Sequence, residues 1–417
     1  MKKTLTAVAV STALVLGGAV VASAAIELDA NVRVRGISSD LTAQEDKPSS
    51  NTYDQRAQIG FKSKVSDELT GYIRLSTGTG SDNFAWGANS AGDDYSRPTK
   101  NGMNLDEAWI DYKPSSWGIK VGRQHISLGP NFWDRRGDAP DDMIVLYADI
   151  AGTKVQAVTI KVNEHTADDN SDDLDAYILT LDRKFNDSFS GGLNYTYLKG
   201  AADTGDTATA KAGLALSNLG ANANLKFGDL SFALDGNMQF GDAAADVDAA
   251  GYAVQINADY KINNSKIGLM FAQGSGDDDA TDNDADEFVN YLFSTYRHNT
   301  MAGYALAVPG SAKFGNNSGL SNLTIYQLNG STSVTCPLTG KPLSLRGALN
   351  YLETTEDVAV GGNNEDEIGT EIFGVAAWKL NSNLSYQVEA SYVWTDDVYG
   401  RNNDDAYWIR HGITMNF

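Results

Sequence analysis

Tyr407-Trp408-Ile409-Arg410-His411-Gly412-Ile413-Thr414-Met415-Asn416-Phe417 is the stretch whose alternation decides the fold. Tyr407, Ile409, His411, Ile413, Met415 and Phe417 share one parity. Trp408, Arg410, Gly412, Thr414 and Asn416 share the other. A strand sends successive side chains to opposite faces, so this period of two describes a strand between an apolar and a polar medium.

Working back along the chain, the same period recurs. Leu384, Tyr386, Val388, Ala390, Tyr392 and Trp394 oppose Ser385, Gln387, Glu389 and Ser391. Tyr252, Val254, Ile256, Ala258 and Tyr260 oppose Gln255, Asn257, Asp259 and Lys261. Leu230, Phe232, Leu234, Met238 and Phe240 oppose Ser231, Asp235, Asn237 and Gln239. At the other end, Ile26, Leu28, Ala30, Val32 and Val34 oppose Glu27, Asp29, Asn31, Arg33 and Arg35.

The connections alternate in length. Short turns such as Ser66-Asp67-Glu68, Ala151-Gly152, Gly228-Asp229 and Asn263-Asn264 are separated by polar loops. The expected long loops are 38–52, 77–103, 125–141, 164–173, 241–250, 275–319, 353–366 and 395–405. This is the pattern of an all-β, antiparallel, up-and-down transmembrane β-barrel with short turns on one side and loops on the other. The count is eighteen strands, with sixteen as the alternative, because Ala and Gly dilute the period over 199–227. Closure removes unpaired edges, as lipid demands. A barrel of this size is wide enough to enclose an aqueous channel. Phe417, an aromatic ending an alternating strand, resembles the signal by which such barrels are recognised for insertion.

Residues 1–24 read as a signal peptide for the Sec pathway. Met1-Lys2-Lys3 is basic, Thr4 to Val21 is apolar, and Ala22-Ser23-Ala24 is a small-residue cleavage site. The barrel is then 25–417, in the outer membrane of a Gram-negative bacterium, among its lipid and lipopolysaccharide. The residue directly after the cleavage site is Ala25 rather than a cysteine, so no lipoprotein anchor is expected.

The net charge of -22 excludes nucleic acid as a partner. The single Cys336 makes no internal disulfide, and without Cys-x-x-Cys-His there is no covalent haem. No cofactor is expected. The histidines His125, His165, His298 and His411 are scattered, and neither Gly-x-Ser-x-Gly nor His-Glu-x-x-His occurs. No catalytic residues and no metal site are therefore expected. The acidic run Ser275–Glu287 lacks the glycine of an EF-hand and reads as a solvated loop.

If the apolar parity faces lipid, the lumen carries Arg33, Arg35, Arg56, Lys62, Arg74, Lys120, Arg346 and Arg410. Most of these fall on strands that become neighbours on closure. Glu107, Asp111, Asp235, Asp259 and Glu389 are the lumen acids, most of them on other walls. Opposed charged walls would select ions, while pairing among them would hold the wall. The third long loop, 125–141, contains Phe132, Trp133, Asp134, Arg135, Arg136 and Asp138. Aromatic anchors with paired charges suit a loop that folds inward and narrows the channel.

Val121-Gly122-Arg123-Gln124, Ala272-Gln273-Gly274-Ser275-Gly276-Asp277-Asp278 and the following Phe288, Tyr291, Leu292, Phe293, His298 and Gly303 resemble the alginate-export-type family of outer-membrane barrels. That resemblance implies an 18-stranded monomeric channel. The residues themselves leave monomer and trimer open. Lumen acids among the bases fit a porin for small, anionic, hydrophilic solutes better than a polyanion exporter. The alternatives are a polysaccharide export channel and a barrel sheathing a periplasmic or extracellular multihaem cytochrome.

Overall fold

The computed structural model describes residues 26–41, 49–77, 84–85, 103–126, 140–163, 173–200, 213–279, 282–290, 296, 298–303, 305–311, 319–400 and 404–417. The signal-peptide residues lie outside this set, as do all six residues proposed for the narrowing loop, Phe132, Trp133, Asp134, Arg135, Arg136 and Asp138.

Eighteen antiparallel strands form the wall. In chain order they are β1 (Ile26–Asp40), β2 (Ser50–Lys64), β3 (Leu69–Ser76), β4 (Asn104–Tyr112), β5 (Trp117–Gln124) and β6 (Asp141–Ile150). Then come β7 (Thr153–Asn163), β8 (Leu174–Lys184), β9 (Phe189–Gly200), β10 (Ala215–Phe227), β11 (Leu230–Ala244) and β12 (Tyr252–Ile262). The last six are β13 (Ser265–Gly274), β14 (Leu323–Thr335), β15 (Pro342–Val360), β16 (Asn363–Lys379), β17 (Leu384–Thr395) and β18 (Ala406–Asn416). The weakly alternating region thus holds a real strand, β10, and the count is eighteen rather than sixteen. Each strand pairs with its sequence neighbour. β18 closes on β1 from Asn31↔Asn416 to Asp40↔Tyr407.

The apolar parity faces outward. Leu28, Ile110, Leu146, Leu193, Leu269, Leu349 and Ile372 are exposed on the outer wall. A band of this kind is stable against hydrocarbon. Among the described residues no helix is long and apolar enough to cross a membrane. Aromatic pairs mark both rims. Tyr112–Trp117, Phe185–Phe189 and Trp378–Tyr386 flank short turns, while Tyr326–Tyr351 and Tyr392–Trp394 lie toward the long connections. Amphipathic rings favour these interfacial levels. The turn between β6 and β7 is a two-residue reversal. Ala151 and Gly152 both take positive φ, 52° and 79°, as the twist of a tight hairpin requires.

Two expected loops are strand instead. Residues 353–366 continue β15 and β16 outward as a hairpin, with register shifts at Leu352/Glu353 and Glu353/Val358, reversing at Gly361-Gly362. Most of 241–250 is likewise strand, as the end of β11 and the short strand Val247–Ala249. Polar side chains do not end a strand that has left the membrane, so polarity alone misplaces the boundary.

Assigning every apolar parity to lipid also fails in one sector. Met143, Val145, Val158, Ile160, Ala176, Ile178, Leu198 and Leu216 point inward and are buried in one core cluster. Apolar residues occupy both faces of β6, as in Met143-Ile144-Val145-Leu146. A strand covered on both sides reads as a continuous apolar run.

Candidate functional site in the lumen

Part of the connection between β13 and β14 folds into the barrel rather than standing outside it. Its described residues, 288–290, 296, 298–303 and 305–308, run along the inner wall from β11 to β18. At one end Gln239 holds Val289 twice, its amide donating to the carbonyl (2.7 Å) and accepting from the N–H (3.1 Å). Next, Tyr296 donates to Gln255 on β12 at 2.9 Å. Gln327 on β14 and Asn350 on β15 donate to the carbonyls of His298 and Asn299. Glu371 on β16 accepts from the Thr300 hydroxyl at 2.5 Å and the Met301 N–H at 2.8 Å. Asn350 and Ser391 also donate to Glu371, which is 0% exposed. Beyond it, Met301 and Leu306 pack on Ala406 and Trp408 of β18.

The chemistry follows from what this inner strap covers. A buried strand surface must satisfy backbone groups of whatever lies on it, and amide side chains supply both donors and acceptors. Gln239, Gln255, Gln327 and Asn350 sit on the inner parity of β11, β12, β14 and β15, and all are buried. Phe288, Tyr296, Met301 and Leu306 provide the apolar payload, each at most 1% exposed. The sequence reading had this connection as an external loop. Its apolar residues, spaced among Gly and Asn, carry no period that could have revealed the insertion.

The other sector of the lumen, from β17 through β18 to β5, is charged. Arg35 makes a two-point ion pair with Asp54 at 2.9 and 2.7 Å. Arg410 pairs with Glu389 at 2.7 Å and lies over the Trp408 ring. Arg74 pairs with Glu107 at 2.7 Å and donates to the Tyr72 hydroxyl at 2.9 Å. Lys62 is exposed, 3.7 Å from Glu27. Lys120 sits 3.8 Å from the centre of the Trp109 ring, directly across from Asp111. Arg33 and Arg56 are direct cross-strand partners, so two like charges abut on the inner face of β1 and β2. Arg346 stands apart on β15, opposite Ser331 and among Ser333, Ser344 and Gln387. It has no carboxylate within ion-pair distance among the described residues. Of the expected acids, Glu107 and Glu389 therefore lie within the basic sector, and Asp259 pairs with Lys266 on β13. Phe417 exchanges both backbone hydrogen bonds with Ala30, and its side chain is exposed.

Carboxylates gather at the long-connection end. Burial, and then Asp278, Asp284, Asp277 and Asp282, push the Asp286 carboxyl above its usual range. Burial, Asp278, Asp357 and Asp286 do the same to Glu356 on the outward hairpin.

No family model matches the chain, and no curated sequence is similar to it. Solved structures share its fold. OccAB1 of Acinetobacter baumannii is 14% identical with a TM-score of 0.62, covering 94% of this chain and 96% of its own. A BenF-like porin from Pseudomonas fluorescens Pf-5 is 13% identical with a TM-score of 0.60, covering 94% and 98%. Pseudomonas aeruginosa OpdK, solved with vanillate, is 11% identical with a TM-score of 0.57, also covering 94% and 98%. The fold is that of 18-stranded outer-membrane porins. The finer likeness to alginate-export-type barrels rests on the short sequence motifs alone.

Proposed function

We propose that the chain is a porin of the Gram-negative outer membrane, exported by the Sec pathway, through which small hydrophilic anions diffuse passively. The observation that carries this reading is the juxtaposition of Arg33 and Arg56, with Arg35 beside them, on the inner wall of a closed barrel. Abutting guanidinium groups lower the energy of a carboxylate passing between water and wall, and Arg offers it paired donors. Vanillate, the compound in the OpdK structure, is an aromatic carboxylate. A solute of that class suits a lumen lined by both Arg and aromatic rings.

The inner strap favours a solute channel over a sheath for a multihaem cytochrome, because the chain's own residues already occupy part of the lumen. Export of an acidic polysaccharide is disfavoured by Asp54, Glu107 and Glu389 among the bases.

The test is reversal potential in a planar bilayer under a salt gradient, using the purified protein. Discrete conductance steps with a potential of anion-preferring sign are expected. A cation-preferring sign, or no conductance, contradicts the reading.

A further inference from the structure

Neighbouring residues of a strand point to opposite faces, yet Asp106 and Glu107 both point inward. A bulge between β3 and β4 is the cause. Arg74 pairs with Glu107 and Leu75 with Leu105, which leaves Asp106 as the extra residue. Bulges re-aim side chains in this way and recur beside functional sites. His125, just past the end of β5, brings its Nε2 to 3.9 Å from Asp106 Oδ2 and 4.0 Å from Glu107 Oε1. The three potential ligand atoms lie within 4.8 Å of one another.

Two further facts set this cluster apart from an ordinary ion pair. First, among the described residues three carboxylates, Asp106, Glu107 and Asp111, share two cations, Arg74 and Lys120, so negative charge is in surplus. Second, Asp106 is only 1% exposed, and its Oδ1 is buried with no hydrogen-bond partner while Oδ2 accepts from Gln58 at 3.0 Å. A buried carboxylate oxygen left without a partner is costly, and a cation gripped by both oxygens of this carboxylate would satisfy Oδ1 as well as Oδ2.

We propose that Asp106, Glu107 and His125 form a binding site for a divalent transition-metal cation at the long-connection end of the lumen. Two carboxylate oxygens and one imidazole nitrogen are a set that Zn²⁺ accepts, leaving a position open to water or solute. Bond lengths of about 2.1 Å put ligand atoms about 3.4 Å apart in a tetrahedral shell. The two His125 distances therefore have to contract by about half an ångström, and the carboxylate–carboxylate distance, which is within 4.8 Å, by up to about 1.4 Å.

Arg74 now stands where the cation would. Its Nη1 is 2.7 Å from Glu107 and 3.7 Å from Asp106. A guanidinium and a divalent ion this close repel strongly in a partly buried site, so metal binding and the Arg74 ion pair exclude each other. That exclusion distinguishes a metal site from a structural ion pair. Removing Arg74 strengthens metal binding, although it breaks the salt bridge. The inference does not depend on the solute that the channel passes.

The experiment is calorimetric titration of the purified full barrel with Zn²⁺ in excess Mg²⁺ and Ca²⁺, hard cations that compete at carboxylate-only positions. One Zn²⁺ site resistant to that competition is expected. His125→Ala and Asp106→Asn should each weaken it at least about tenfold, the loss seen when metal sites are disturbed even beyond the ligands themselves. Arg74→Gln should tighten it severalfold. Heat-modifiable mobility on gels certifies that each variant is folded. Should Asp106→Asn fail to fold, His125→Ala decides alone, since His125 is partly exposed. No competition-resistant site, undiminished affinity in folded His125→Ala, or unchanged or weaker binding in Arg74→Gln overturns the proposal.

Discussion

Two sectors of the inner wall are both polar, yet they use polarity for opposite ends. From β17 through β18 to β5, the inward side chains include most of the lumen's Arg and Lys, and Arg35, Arg74 and Arg410 are held in cross-strand ion pairs. From β11 to β16, the inward groups that hold the chain's own strap are the amides Gln239, Gln255, Gln327 and Asn350 and the buried Glu371, while Asp235, the Asp259–Lys266 pair and Arg346 lie elsewhere on the same wall. The difference teaches where charge can be kept. The Arg35–Asp54, Arg74–Glu107 and Arg410–Glu389 pairs are largely buried along the wall, where each charge needs its partner, so they fix charge in place beside the path of the solute. A wall that must be buried under backbone needs groups that donate and accept in fixed geometry.

Glu371→Ala should have the largest effect on this contrast. It strands the Thr300 hydroxyl, the Met301 N–H, Asn350 and Ser391 together. Each buried unsatisfied group costs about 1–3 kcal/mol, enough in sum to release the strap. Single-channel conductance should rise severalfold, and the unfolding temperature should fall. Unchanged conductance would mean that the strap does not narrow the path.

The double replacement Arg33→Gln with Arg56→Gln should do the reverse. Both arginines are half-buried, so stability should change by no more than about 1–2 kcal/mol, less than in Glu371→Ala, while the reversal potential moves toward cation preference. Loss of stability without a change in selectivity would erase the distinction between the sectors.

Gln255→Leu should lie between them, because it removes the acceptor for Tyr296 and a 3.4 Å contact with the His298 ring nitrogen. The cost is about 1–3 kcal/mol, read as a small drop in unfolding temperature, with a modest rise in conductance noise.

The smallest effect concerns pH. Asp286 and Glu356 have carboxyls raised above the ordinary 3.8 and 4.5. A raised folded value means that the folded protein holds protons the unfolded chain has released. Stability is then fully retained below those values and declines as pH rises from about 4 through the raised values. Over the same window the mouth gains negative charge, so it should draw cations more strongly. Asp286→Asn should flatten both trends, measured as unfolding temperature and cation conductance between pH 4 and 7.

The sequence showed these sectors unequally. The period of two located the wall, and its strand count and lumen parity placed Arg33, Arg35, Arg56, Arg74 and Arg410 on the inner face. The strap was illegible because its partners are ordinary inward amides, whose role depends on a segment about 30 to 70 residues away in sequence. Phe288 and Tyr296 read equally well as loop anchors. The Asp106–Glu107–His125 cluster was missed because His125 meets the pair only through the β4–β5 pairing. One signal was available: two consecutive carboxylates interrupt the alternation Leu105, Asp106, Glu107, Ala108, as a bulge would. The outward hairpin of β15 and β16 was misread because strands beyond the membrane lose their apolar face.

The central claim is that the charged sector faces water while the amide sector lies beneath the strap. Single-cysteine labelling tests it most directly, in a Cys336→Ser background that removes the native thiol. Arg33→Cys and Asn350→Cys are each exposed to a charged, membrane-impermeant thiol reagent while current is recorded. The account predicts rapid modification at position 33, with a change in current, and near-complete protection at position 350. Equal reactivity at the two positions would contradict it.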